Sequence, residues 1–309
     1  VTGTPAPRPE RVHDRLGARD ILLLLLMQTV WGGSFVLTKL GMEEIPPILF
    51  VALRFLIVSV LLLPFLRWHP GQMGNVAAIS FFTGSVHFGL MNTGLALADD
   101  VAPVAIVIQL GVPFSTLLSV IVLHERLGIW RISALLIAFG GVLIVGFDPA
   151  VFRYRDALIM VALAALMMAI GTIFMRRVRG VPVYDMQAWI AIFAWPPLLV
   201  ATLVLEGNPG PYLVAAGVKG WSGIAWVVIG TSLIGHAAYF WIMQRHEVGR
   251  TAPFMLLAPI LGAAGGVVFL GDDITWRMVL GGALTLTGVL VITLREGRAN
   301  RPPKLGGPA

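Results

Sequence analysis

Gly141-Val142-Leu143-Ile144-Val145, near the middle of the chain, returns almost letter for letter as Gly288-Val289-Leu290-Val291-Ile292 close to its end. A Trp-Arg pair precedes each string, Trp130-Arg131 in the first copy and Trp276-Arg277 in the second. Further outward, Pro113 matches Pro259, and each is followed by an acidic turn, at Glu125 and Asp272. Gly33-Ser34 and Lys39 align with Gly171-Thr172 and Arg177. Short Gly/Val/Leu strings recur by chance in any apolar chain. Several matches in one order, at offsets between 138 and 147, mark a duplication that has drifted by an indel or two.

The duplicated unit is not a soluble one. Of 309 residues 57% are apolar and 12% charged, against roughly 45–50% and 25% in ordinary globular domains. Mean hydropathy is +0.87, so lipid is the main solvent. The chain has no cysteine, which removes disulfides, thiolate nucleophiles and Cys-ligated metals. The 35 glycines and 20 prolines follow no triplet period and sit in apolar surroundings, as in membrane helices.

Apolar stretches of about 20 residues, enough to span a bilayer core, occur ten times: near 20–41, 46–66, 74–97, 102–123, 129–147, 157–175, 184–205, 219–244, 251–270 and 277–294. The fold expected is all-α and polytopic, ten transmembrane helices in two inverted five-helix repeats. Five spans per copy is odd, so the second copy must enter from the opposite side. The division is a tail 1–19, a first repeat 20–147, a linker 148–156, a second repeat 157–294 and a tail 295–309. Sixteen Lys and Arg fall on the side of both termini, five on the other, and Arg54 inside a span. The positive-inside rule then makes both termini cytoplasmic, and the net charge of +6 needs no nucleic acid.

Several loose motifs combine with this layout: Trp31-Gly32-Gly33-Ser34-Phe35 with Lys39, Leu53-Arg54-Phe55, Pro113 followed by His124-Glu125-Arg126-Leu127, and the two glycine-led strings. Over about residues 20–294 the chain resembles the drug/metabolite transporter superfamily, EamA type. Among its branches the aromatic amino-acid exporters look nearest. The resemblance implies export of amino acids or other small metabolites across the bacterial inner membrane through a cavity between the halves. Gly271-Asp272-Asp273 departs from that family's usual Gly-Glu turn.

Arg54 is the sharpest single residue, because a charge at this depth costs at least ~2.5 kcal/mol unless paired or hydrated. It is either tied to backbone carbonyls or a bidentate clamp for a substrate carboxylate. Lys39 either shares that role or snorkels from a span end. His87 and His236 occupy corresponding spans near mid-membrane, as proton carriers or as neutral hydrogen-bonded rings. Gln28, Trp31, Ser34, Asn92, Gln109, Thr172, Gln187, Trp189 and Tyr239 complete the candidate substrate-binding set, since amides and hydroxyls avoid lipid. Pro113 and Pro259 each delete a mid-membrane backbone bond and are candidate hinges.

No carboxylate lies within a span interior, which disfavours an Asp/Glu proton pump and suits uncoupled or exchange transport. An intramembrane enzyme would need clustered nucleophiles, acids or metal ligands, and a channel a charged or carbonyl-lined ring. Both are weaker alternatives to a secondary transporter with a midplane site. The partners expected are a small-molecule substrate and the lipid bilayer, with no cofactor, metal or nucleic acid.

Overall fold

The computed structural model describes residues 16–124, 128–246 and 248–299. Glu125, Arg126 and Leu127 of the motif above, and the outer parts of both tails, lie outside the described residues. The long helices are α1 (Ala18–Gly41), α2 (Pro47–Phe65), α3 (73–97), α4 (Val101–Val122), α5 (Ile129–Gly146), α6 (Arg155–Met175), α7 (Val183–Glu206), α8 (Val218–Tyr239, running on to Arg245), α9 (Thr251–Leu270) and α10 (Trp276–Ala299). Among the described residues nine of them are long and apolar enough to cross a membrane. The remaining one, α3, is as long, about 37 Å at 1.5 Å per residue. Buried Ser80, Thr83, Ser85, His87 and Asn92 lower its hydropathy, and α6 and α7 pack against it. The Pro/Gly-rich stretch after α7 holds one short helix, Gly210–Ala215.

Contacts at the helix ends fix the alternation. At one end Glu206 accepts the Ile48 and Leu49 N–H groups (2.7 and 2.8 Å), so the tail of α7 caps the start of α2. Glu44, after α1, accepts Gly217 and Gly220 N–H (2.9 and 2.7 Å) at the start of α8. At the opposite end Gln72, before α3, exchanges two bonds with the backbone of Arg179, after α6 (3.1 and 2.9 Å). Each loop following a repeat's first helix therefore holds the start of the other repeat's third helix. Because α1 starts at the Gln72 end and α6 at the Glu44 end, the two copies are inverted.

Packing follows the same exchange. Helix α1 lies on α8 and α9, as α6 lies on α3 and α4, while α2 pairs with α7 and α5 with α10. The opening strings explain the last pair. A Cβ on Gly141 would sit 2.5 Å from Thr285 Oγ1, and one on Gly288 would sit 2.5 Å from the Ala134 carbonyl. Only a bare Cα lets these backbones cross so closely. Trp68, Trp130, Trp221 and Trp276 are exposed at helix ends, as interfacial belt residues are.

Proline breaks α4 and α9 at matching places. Pro113 offers no N–H to the Gln109 carbonyl, and α4 tightens to a 3₁₀ turn at Ile108–Leu110. Pro259 offers none to Met255, and α9 is interrupted at Leu256.

Candidate functional site

Helices α3 and α8 each loosen into a π-helical stretch, Ser80–Val86 and Trp226–Gly235, and each resumes α-helical geometry at a histidine. π-Segments often accompany functional sites. His87 Nδ1 donates to the Ala164 carbonyl of α6 (2.8 Å), and His236 Nδ1 donates to the Thr231 carbonyl of its own helix (2.8 Å).

Arg54 stands between them. It is 6% exposed, its Nε donates to Ser232 Oγ (3.1 Å), and its guanidinium lies 4.4 Å from the Phe88 ring centroid. Phe88 touches the His87 ring, at 4.7 Å between centroids. Ser232 adjoins Thr231, which anchors His236. Arg54 is close enough to act electrostatically on both imidazoles. Among the described residues no carboxylate pairs with it. A cation held by one hydroxyl and two aromatic faces retains most of its hydrogen-bonding capacity for an incoming anion.

One side of this polar cluster is built by α1. Trp31 packs against His236 and Tyr239, both at 5.7 Å between centroids. Ser34 Oγ meets Thr231 Oγ1 (2.6 Å) and accepts the Trp226 indole N–H (3.1 Å). Gln28, one turn before Trp31, donates to Met255 Sδ at the break in α9 (3.3 Å). Among the described residues the buried Gln28 Oε1 and Trp31 Nε1 atoms have no hydrogen-bond partner. Asn92, a turn beyond Phe88, donates to its carbonyl (2.8 Å).

The remaining candidates lie elsewhere. Trp189 donates to the Arg67 carbonyl (2.8 Å) and stacks on Phe193 in the cluster where Asp185 holds His69 (2.6 Å) and the Arg67 N–H (3.1 Å). Gln187 lies half-buried on that stretch of α7, its Nε2 without a partner among the described residues. Thr172 bonds back to Met168 in its own helix (2.9 Å), and half-buried Gln109 sits at the break in α4. Sequence reasoning missed Ser232, Phe88 and Trp226 as neighbours of the polar site. Their signal was adjacency, Phe88 to His87 and Ser232 to Thr231.

Lys39 belongs to a separate network closing one end of the molecule. Its ammonium donates to the carbonyls of Ala98 (2.9 Å) and Asp99, where α3 turns into α4. Asp100 accepts the Tyr154 hydroxyl (2.6 Å), and burial together with that bond holds the phenol above its ordinary pKa. Asp272, from the α9–α10 turn, is 7% exposed and accepts the Val101 N–H at the start of α4 (2.6 Å). Burial raises its pKa, opposed by that N–H and by Lys39. Beneath the network the Val101–Val107 segment of α4 packs on Leu257–Gly265 of α9. Among the described residues the far segments, Gly111–Leu123 and Val248–Met255, have no comparable contact. Helices α4 and α9 thus meet at the Lys39 end and part towards the other, where Arg177 is exposed.

Comparison with known proteins agrees with this architecture. The chain is 26% identical to a "Probable amino-acid metabolite efflux pump" of Escherichia coli (strain K12), over 89% of this chain and 95% of that one. It is 26% identical to the protein of that name from Salmonella typhimurium (strain LT2), over 94% and 100%. A "Probable biotin transporter" of Pseudomonas aeruginosa is 25% identical, over 89% and 99%. A solved crystal structure shares the fold, with a TM-score of 0.61 at 21% identity, over 93% of this chain and all of the other. The EamA-like transporter family profile matches twice, at residues 19–147 and 156–294. The chain belongs to the EamA-like transporter family.

Proposed function

We propose that this protein is a secondary transporter that exports small metabolites, amino acids foremost, from the bacterial cytoplasm across the inner membrane by alternating access. The observation that carries the reading is Arg54, a buried guanidinium inside an inverted repeat with no acid paired to it among the described residues. Such a group binds a substrate carboxylate in a fork, and an inverted repeat gives that site two mirror-related exits.

Both termini are cytoplasmic in this reading, supported by the sixteen-to-five split of Lys and Arg. The end closed by Lys39 and Asp272 is then periplasmic and the structure is inward-facing. The repeats run over 20–147 and 157–294 with 148–156 as linker, and the breaks before Pro113 and Pro259 serve as hinges. Trp31, Ser34, Asn92, His87, His236 and Tyr239 complete the central site, with Gln28 and Gln109 beside the breaks. Lys39, Thr172, Gln187 and Trp189 act at the two exits. Transport is uncoupled or by exchange, without enzymatic chemistry, cofactor or metal.

Counterflow of labelled amino acids in proteoliposomes, with and without a pH gradient, tests this. Saturable flux that survives collapse of the gradient is expected. Absence of flux for all twenty sinks the substrate class.

A further inference from the structure

We propose that His87 and His236 are the specificity-determining pair that reads the amino group of the substrate: while Arg54 holds the carboxylate, the two imidazole Nε2 atoms accept hydrogen bonds from the ammonium. The site thereby selects α-amino acids over acids of the same shape that lack the amine. This rests on the carboxylate-export reading above and adds the second half of the recognition.

The tautomer follows from the partners. A carbonyl oxygen only accepts, so the 2.8 Å contacts to Ala164 and Thr231 keep a proton on each Nδ1. In the neutral ring Nε2 then carries a lone pair. Each ring's hydrogen bond is made through Nδ1, and neither Nε2 has a protein partner among the described residues; His87 is buried and His236 half-buried. The two rings flank Arg54, His87 through Phe88 and His236 through the Thr231-Ser232 pair. Their carbonyl bonds fix the rings, which is what turns an acceptor into a discriminating one.

The choice of histidine has a physical reason. An aspartate or glutamate is the ordinary partner of an ammonium, but a carboxylate here would pair with Arg54 and cancel the charge that the substrate needs. A neutral acceptor reads the ammonium and leaves the guanidinium free. The absence of acids at this depth thus becomes part of the selection.

The test uses the whole protein in proteoliposomes and the amino acid giving the largest counterflow, set against the same acid without its amine. The wild type should prefer the amino acid by about tenfold or more, the worth of a hydrogen bond to a charged group. His87→Asn and His236→Asn keep an N–H near the Nδ1 position but withdraw the Nε2 acceptor. Each should bring the preference towards unity while transport of the amine-free acid persists. His87→Gln, whose amide reaches the Nε2 position, should keep part of the preference. Equal wild-type transport of the two compounds overturns the proposal and leaves the carboxylate-export reading standing. Equal loss of both in folded Asn variants, judged by unchanged Tm, also overturns it. No flux of either compound removes the export reading itself, and the proposal with it.

Discussion

At Arg54 the cost of burial and the use of the residue separate cleanly. An arginine tied into a salt bridge would stabilise the fold, and its removal would strand the partner acid. Here the partners are one serine hydroxyl and two phenyl faces. Arg54→Gln should therefore leave Tm unchanged or raise it, since an intramembrane charge has gone. The same substitution should lower transport of carboxylate substrates by about 10–100-fold. Arg54→Lys, which keeps the charge but loses the fork, should recover only part of that rate. Initial rates in proteoliposomes, with Tm measured on the same samples, check both; a large fall in Tm without a selective loss of rate would make Arg54 structural. The residue was legible in the sequence because a charge interrupts an apolar run. Its setting was not, because Phe88 and Ser232 reach it only when α3 and α8 close on α2. Lys39 shows the same limit. By composition it resembles Arg54, but the carbonyls of Ala98 and Asp99 occupy it at a helix end.

The glycine strings that revealed the duplication turn out to be a packing device of α5 and α10. Their recurrence was legible; that the two copies lie against each other was not, because inversion brings equivalent helices together about a pseudo-twofold axis. Gly141→Ala should lower Tm in detergent by the equivalent of about 1–3 kcal/mol, since its methyl meets Thr285 and the α10 backbone. Gly140→Ala, one residue away with nothing within 4 Å, should leave Tm unchanged or raise it through helix propensity. Equal shifts for the two would refute the close crossing. The π-helical stretches of α3 and α8 were illegible, because a change of hydrogen-bond partner leaves the apolar pattern nearly intact. The breaks in α4 and α9 could be read, because proline states its missing N–H in one letter.

For the whole molecule the decisive feature is that, among the described residues, the two proline-broken helices α4 and α9 pack on each other only at the Lys39 end. Asp272 from the second repeat holds the first N–H of α4 in the first, so opening this end must expose Asp272 and free α4's N-terminal donors. A chain without cysteine allows a direct measurement: Gln109→Cys places a unique thiol at the break in α4. An impermeant maleimide should reach that thiol mainly from the side opposite Lys39, the cytoplasmic side in the proposed orientation. Asp272→Ala, which leaves those donors unsatisfied when the end is closed, should raise labelling from the Lys39 side by about tenfold. Asp272→Asn keeps an acceptor without the cost of burying a charge and should not. Acid should act in the same direction as the asparagine. Burial raises the Asp272 pKa in the closed form above its ordinary value, which it regains on exposure, so the closed form binds the proton more readily. As pH falls into the range just above the ordinary aspartate value, the closed end gains stability, even with Lys39 and Asp100 facing the same carboxylate. Labelling from the Lys39 side should decline through that range in the wild type and stay flat in Asp272→Asn. A rise on acidification would mean that the ionised carboxylate, bonded to Val101, is what holds the end shut.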